Sequence, residues 1–578
     1  VKKRQKIDSF FVEKWKLKTI QKSDSQSIIR LEASAKKMKI MLEITCGLNS
    51  EQVDFKVITL FRRSTTVAQN SLVIPYLDET TQVFRKTGLM DSTAFQEAYY
   101  LQHGGAMIGE ENRGIILQNA LHLSSAQLNT TNKILFLNLD YAADHPLVNF
   151  PLLKDAENVF HDRSMANFDR KNTLEGDFRL FIGTKTTQVP RLLKIPYGFD
   201  AAMVWTEHAD WTNIRTQRAV NFGLESITKA ENAIGGFVGY GIPVTKSIFY
   251  NNPDTITNTD ISQGLFQELH STFATDPDFP EFLESLHQQG HEICLHTPEQ
   301  FTSTAANMQL ALSEMQRLFG SPTWIDHGYN NKSQNNRENL VCDGLNPKSE
   351  YFSKTVWLQN GVRYFWNASV EEHNPFAGYG FNGHFLMPFP GFGDAFPSAE
   401  TGIHPNFPEA VLWTTTGTLE VPNDPLWDYY FHPQLLQSLV ENRSVFITHV
   451  YPAWVKEGKG YWFFDADGQI RAMDGFNRAL AKLKQMGENG SLFSTTINEL
   501  LTYQEGLKQL DIQFVGTNTV KITNLSSRQI QGVSCVVKAK KVSFQSKEVS
   551  QKTSHGELVV WFNLEGQESV TLTFDTEK

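Results

Sequence analysis

At 578 residues the chain is too long for one ordinary hydrophobic core, so two to four domains are expected. Its formal net charge of -10 argues against a nucleic-acid partner, whose phosphates call for a basic surface. No run of about twenty apolar residues exists to span a membrane, and four scattered cysteines, Cys46, Cys294, Cys342 and Cys535, speak against a thiolate zinc site or a disulfide framework.

The chain opens Val1-Lys2-Lys3-Arg4 without a methionine, which fits either a trimmed chain or a mature form, so an export signal could have been removed; a periplasmic, cell-surface or extracellular location is the expectation. Residues 1–190 read as a β-rich accessory domain. Short β-branched runs at 40–45, 55–61 and 134–139 carry it, and helical periodicity is scarce. The segment 140–146 holds two aspartates and His145, but reads as an Asp- and Pro-rich turn.

From about 191 the texture changes. A strand at 201–206 runs into Glu207-His208-Ala209-Asp210-Trp211. A second lies within 235–250, and 251–278 is a long polar loop of the kind that borders sites. Phe282, Leu283 and Leu286 then recur at helical spacing, with Gly290 as the stop. Ile293 and Leu295 form a short buried strand, and His296 falls where it ends. Met308, Leu312, Met315 and Phe319 mark the next helix, stopped by Gly320. Further strands end at Asp326-His327-Gly328-Tyr329, at Trp366 and near 389. The run 444–448 ends at His449, followed by Val450-Tyr451-Pro452-Ala453-Trp454. A helix at 473–487, a strand at 491–493 and a helix at 496–503 complete the region. Strands alternating with helices over 191–505 imply a parallel sheet, and periodicity alone does not decide between a closed barrel and an open sheet. From 506 to 578 the alternation returns to period two, the pattern of a small antiparallel β-sandwich.

In parallel α/β folds, sites are built at the C-terminal edge of the strands. His208 and Asp210 lie two apart at one such end, and His296 closes another. Two imidazoles and a carboxylate suit a divalent transition metal, zinc above all. Asp326, His327 and His449 close further strands. Each is open to three readings: completing the ion's shell, acting as acid or base, or hydrogen bonding in the core. Trp211, Tyr329, Trp366 and Trp454 adjoin these motifs and offer rings on which a sugar could stack, or packing for the core.

The octapeptide Gly290-His291-Glu292-Ile293-Cys294-Leu295-His296-Thr297 resembles the second motif of polysaccharide deacetylases of the carbohydrate esterase family 4 type, in which the histidine before Thr binds the metal. Thr206-Glu207-His208-Ala209-Asp210 stands where that family carries a strand ending in paired aspartates, and Ile447-Thr448-His449 resembles its late strand bearing the general acid. The resemblance spans roughly 195–505. It implies a distorted (β/α) barrel of the glycoside hydrolase and deacetylase type, flanked by the N-terminal β-rich domain and the C-terminal β-sandwich. It also implies metal-dependent removal of N- or O-linked acetyl groups from a polysaccharide or oligosaccharide.

Three departures reshape the site. Gln300 replaces the family's second metal histidine, His208 and Asp210 replace its paired aspartates, and Asp326-His327-Gly328 does not match its Arg-x-Pro motif. The expected ligands are therefore His208, Asp210 and His296, with His327 as a fourth. His449 is the expected acid, and Glu207 and Asp326 compete for the base. His-x-Asp followed by Trp also resembles the zinc pair of class II α-mannosidases, so a zinc glycosidase is the alternative activity. A carbohydrate-binding protein on a decayed barrel is the non-catalytic one.

Overall fold

The computed structural model describes residues 11–575 apart from 140–166, 254–270, 326–351, 367–400 and a number of shorter breaks. The N-terminal region is β-rich. Its nine-stranded antiparallel sheet contains the long ladder of Gln26–Ala35, Met38–Gly47, Gln52–Phe61 and Thr173–Thr184. Strand Gln52–Phe61 shows why it folds this way: Phe55, Val57, Thr59 and Phe61 are buried and alternate with half-buried neighbours. The buried row shares a core with Leu128, Leu135 and Leu137 of a second, four-stranded sheet.

The central region is a ten-stranded sheet. Its strands are β1 (Ala201–Glu207), β2 (Val244–Phe249), β3 (Glu292–Thr297), β4 (Thr323–Trp324), β5 (Tyr364–Trp366), β6 (Thr401–His404), β7 (Phe407–Trp413), β8 (Gly417–Leu419), β9 (Val445–Val450) and β10 (Leu492–Thr495). They lie in the order β6-β7-β5-β4-β3-β2-β1-β9-β8, with β10 also paired to β1. Every pairing is parallel except that of β6 with β7. The parallel α/β sheet expected from the sequence is present. Barrel closure is not, because β6 and β8 stay unjoined as the two ends of the strand order among the described residues.

The sheet is nonetheless strongly curled. β5 stands four strands from β1, about 19 Å away in a flat sheet at the usual strand spacing. Yet the ring of Trp366 on β5 lies 4.6 Å from that of His208, just past β1. Only a concave sheet brings them together.

Helices α1 (Ile214–Phe222), α2 (Phe279–Gln288), α3 (Ala305–Phe319), α4 (Asp474–Glu488) and α5 (Ile497–Leu507) accompany the strands. Ala201, Met203 and Trp205 of β1 pack outward against Val220 of α1 and Phe476 of α4, while Ala202 and Val204 face inward with Cys294, Tyr364 and Ile447. Gly320 ends α3 with a left-handed φ of 62° and returns its N–H to the Gln316 carbonyl, the stop its sequence position implied. Strand β7 and the helices Asp424–Tyr430 and Pro433–Glu441 were not expected from sequence. Pro408 and Glu409 interrupt the apolar pattern of β7 and hide it. The strand expected near 384–389 lies outside the described residues, as does most of the loop 251–278.

The C-terminal region consists of two four-stranded sheets over a shared core. One sheet borrows a two-residue strand, Arg191–Leu192, from the segment that precedes β1. No helix among the described residues is long and apolar enough to cross a membrane.

Candidate metal centre

Strand parity decides which side chains meet. On β3, Ile293 and Leu295 pack against helices, so Cys294 and His296 face the concave side. On β9, Phe446 and Val450 face helices, so Val445, Ile447 and His449 face inward. On β1 the inward set is Ala202, Val204, Thr206 and, one step past the strand, His208. Three histidines from three strand ends thus converge at the C-terminal edge of the parallel strands.

The local backbone fixes them further. β2 and β3 pair Ile248 with Leu295 but Phe249 with Thr297, so His296 is the extra residue of a β-bulge. Such a bulge re-aims the side chain it carries. His208 continues the β1 ladder, its N–H donating to the Val450 carbonyl at 3.0 Å. The connection from there to α1 is short and pinned at its far end. Asn213 caps α1 in a reciprocal box with Thr216. Thr212 bridges to Trp454, and Val455 N–H donates to the Trp211 carbonyl at 2.9 Å. Trp211 sits at a φ of 49°, a conformation a bulky side chain adopts only under constraint. Asp210 is held between these anchors.

His208, Asp210 and His296 each offer a ligand atom, and all three atoms lie within 4.8 Å of one another. Nε2 of His296 is 3.4 Å from Oδ2 of Asp210. Zinc bonds of 2.0–2.2 Å at a tetrahedral angle place neighbouring donors about 3.4 Å apart, so this pair already has the spacing of two ligands. The other imidazole nitrogen of His296, Nδ1, hydrogen bonds the Ile325 carbonyl at 2.6 Å. That contact makes Nδ1 the donor, so in the neutral imidazole the Nε2 lone pair faces Asp210 and the space an ion would take; a backbone acceptor on the other nitrogen is the usual second contact of a metal-bound histidine. Both histidines are about 1% exposed and Asp210 is more open. The donor set fits a divalent transition metal.

The remaining expected residues divide. His449 lies beside the cluster, its ring stacked on His208 with centroids 3.9 Å apart and planes 28° apart. Its Nε2 is 2.8 Å from Tyr451 Oη. Trp366 meets both histidine rings edge to face, at 4.6 and 4.9 Å, and its indole N–H points to Thr415 Oγ1 at 3.4 Å. It is buried packing for the site rather than an open platform. Trp211 and Trp454 are half-buried and rest on the helix-side core. Asp326, His327, Tyr329 and Gln300 lie outside the described residues.

Glu207 has the wrong parity for a base acting on the cluster. Its carboxylate turns toward α1, where Oε1 accepts from Lys246 Nζ at 2.5 Å and Gln217 Nε2 at 3.0 Å. Burial pushes the Lys246 ammonium below its usual range, and the Glu207 carboxylate opposes that shift. Sequence reasoning missed this ion pair, although the alternation along β1 was enough to turn Glu207 away. The spacing His449-x-Tyr451 was the available signal that the two side chains share a face.

No family model matches the chain, that of the deacetylases included, and no curated protein matches it. Among solved structures, it is similar to the GH36 alpha-galactosidase AgaA from Geobacillus stearothermophilus, with 7% identity over 98% of this chain and 88% of that one and a TM-score of 0.31. AgaB from the same organism gives 7% identity, 98% and 87% coverage and a TM-score of 0.31. The Slr1438 protein from Synechocystis sp. PCC 6803 gives 8% identity over 30% of this chain and 66% of that one, with a TM-score of 0.15. The first two are glycoside hydrolases rather than deacetylases. Likenesses at these TM-scores carry no argument about the chemistry of this chain.

Proposed function

We propose that the chain is a carbohydrate-active, metal-dependent hydrolase that removes acetyl groups from a glycan, with His208, Asp210 and His296 holding one divalent ion, zinc in the first instance. The observation that carries the reading is the His296 imidazole. It is fixed by the Ile325 carbonyl on one side and stands at ligand spacing from Asp210 on the other. When bound, the ion supplies Lewis-acid polarisation of the scissile carbonyl and of the attacking water. The chain supplies the rest. The concave sheet and the Trp366 ring wall the site, and His449 stands beside His208 as the group that would protonate a departing amine or alkoxide. The glycan substrate rests on the resemblance of 290–297 to the deacetylase motif.

A zinc-dependent glycosidase is the second reading. Glycosidases ordinarily work with two carboxyl groups flanking the scissile bond. Of the two at the C-terminal end of β1, Asp210 is taken into the ligand set and Glu207 is held by Lys246, while Asp326, the next carboxyl group the sequence offers, lies outside the described residues. Elemental analysis of the purified chain should return one transition metal per chain, and His296→Ala should lose most of it. Acetate released from acetylated glycans supports the first reading, and free sugar released from glycosides the second. Full metal retention by His296→Ala would remove the basis of both.

A further inference from the structure

A metal-bound histidine needs its ring plane fixed as well as its position, because the lone pair must point at the ion. His296 receives this from the Ile325 carbonyl. The contacts of His208 include three rings. His449 lies over it at 3.9 Å, Trp366 meets it at 77°, and Tyr451 stands at 5.5 Å. A stacked neighbour sets a plane only if its own plane is set. The Tyr451 hydroxyl holds the His449 ring at Nε2, at 2.8 Å.

Tyr451 is in turn built into the rim. Its ring packs at 5.0 Å against Trp454. Trp454 is tied by its backbone to Thr212, and the Trp454 carbonyl accepts the Trp462 indole N–H at 2.7 Å. Gly460 permits that approach: a Cβ there would come within 2.2 Å of Trp462 Nε1. The rim that anchors the His208–Asp210 loop therefore also anchors the tyrosine that holds His449.

We propose that Tyr451 is a positioning residue for the metal centre: through its hydrogen bond to His449, and the stacking of His449 on His208, it sets the plane of the His208 ligand. The proposal rests on the reading of His208 as a ligand. Either direction of the hydrogen bond serves, since a hydroxyl both donates and accepts.

Tyr451→Phe tests it, because it deletes one oxygen and keeps the ring and its packing. Outer contacts of metal ligands are typically worth about 10- to 100-fold in affinity. The variant should unfold at the wild-type urea midpoint, bind Co2+ about 10- to 100-fold more weakly, and shift the visible absorption of the Co2+ that it does bind. In the metal-free protein, imidazole nitrogen NMR should show the His449 Nε2 signal moving together with that of His208. A tyrosine that does not position His208 would move the His449 Nε2 signal alone and leave the His208 signal and the Co2+ spectrum in place. Wild-type affinity and an unchanged Co2+ spectrum in Tyr451→Phe would overturn the positioning role while leaving the metal centre standing. A wild-type chain that binds no Co2+, or binds it equally well as His208→Ala, would overturn the centre itself and the positioning role with it.

Discussion

His291 and His296 belong to one octapeptide, and only their surroundings separate them. His296 reaches the concave face, whereas His291 precedes β3 and is buried, its Nδ1 without a hydrogen-bond partner among the described residues. Its imidazole is pushed down to about 3, first by burial and then by the Lys246 ammonium. In the unfolded chain the same ring titrates near 6.5. Between those values the unfolded state holds the extra proton, so stability rises with pH across this window. The contribution is full above about 6.5 and drains away as pH falls toward 3. In metal-free protein, His291→Gln should flatten the dependence of the urea midpoint on pH, by close to one proton per chain at about pH 5 and by progressively less toward about pH 7. An unchanged slope would mean that His291 is not held neutral in the fold.

Elements show which parts of the site were legible beforehand. Period-two alternation places His208, His296 and His449 on one face, and the strand ends place them on one edge; both are properties of single strands and can be read from sequence. The bulge that re-aims His296 depends on the register of β2 against β3. The curl that carries Trp366 to His208 depends on the whole sheet, and neither has a local signature. The motif residue Glu292 shows the same division. It lies at the start of β3, far along the strand from His296. Its carboxylate accepts from Thr245 and Asn498 on one oxygen and from Ser321 and Thr323 on the other. It thereby ties β2, β4 and the start of α5 to the N-terminal edge of β3. Glu292→Ala strands these donors and should cost roughly 3 kcal/mol in urea unfolding. Metal content per folded chain should stay at the wild-type level. Loss of metal at full stability would assign Glu292 to the site instead.

At the scale of the whole molecule, the C-terminal sandwich is part of the scaffold that holds the sheet. Its core takes in Ile116 and Phe181 from the N-terminal region and Tyr503 from α5, and its first sheet is completed by Arg191–Leu192. Asp200, just before β1, receives Lys552 Nζ at 2.7 Å and Arg443 Nη1 at 3.3 Å. The sharpest handle is the pair of Arg191 and Glu557, 3% and 5% exposed, in which one guanidinium nitrogen donates to both carboxylate oxygens at 2.6 and 2.5 Å. A buried pair contributes little beyond an apolar pair of the same volume, because both ions are desolvated. Breaking one side is different, since it strands a charge. Glu557→Gln should therefore destabilise the chain by about 3–5 kcal/mol, and Arg191→Met combined with Glu557→Leu should recover most of that loss. Both variants should keep wild-type metal per folded chain, since the pair borders the sandwich and not the cluster. Urea unfolding and elemental analysis on the same samples decide the point. A single variant as stable as wild type, or a double variant no better than the single, would show that this interface does not hold the sheet.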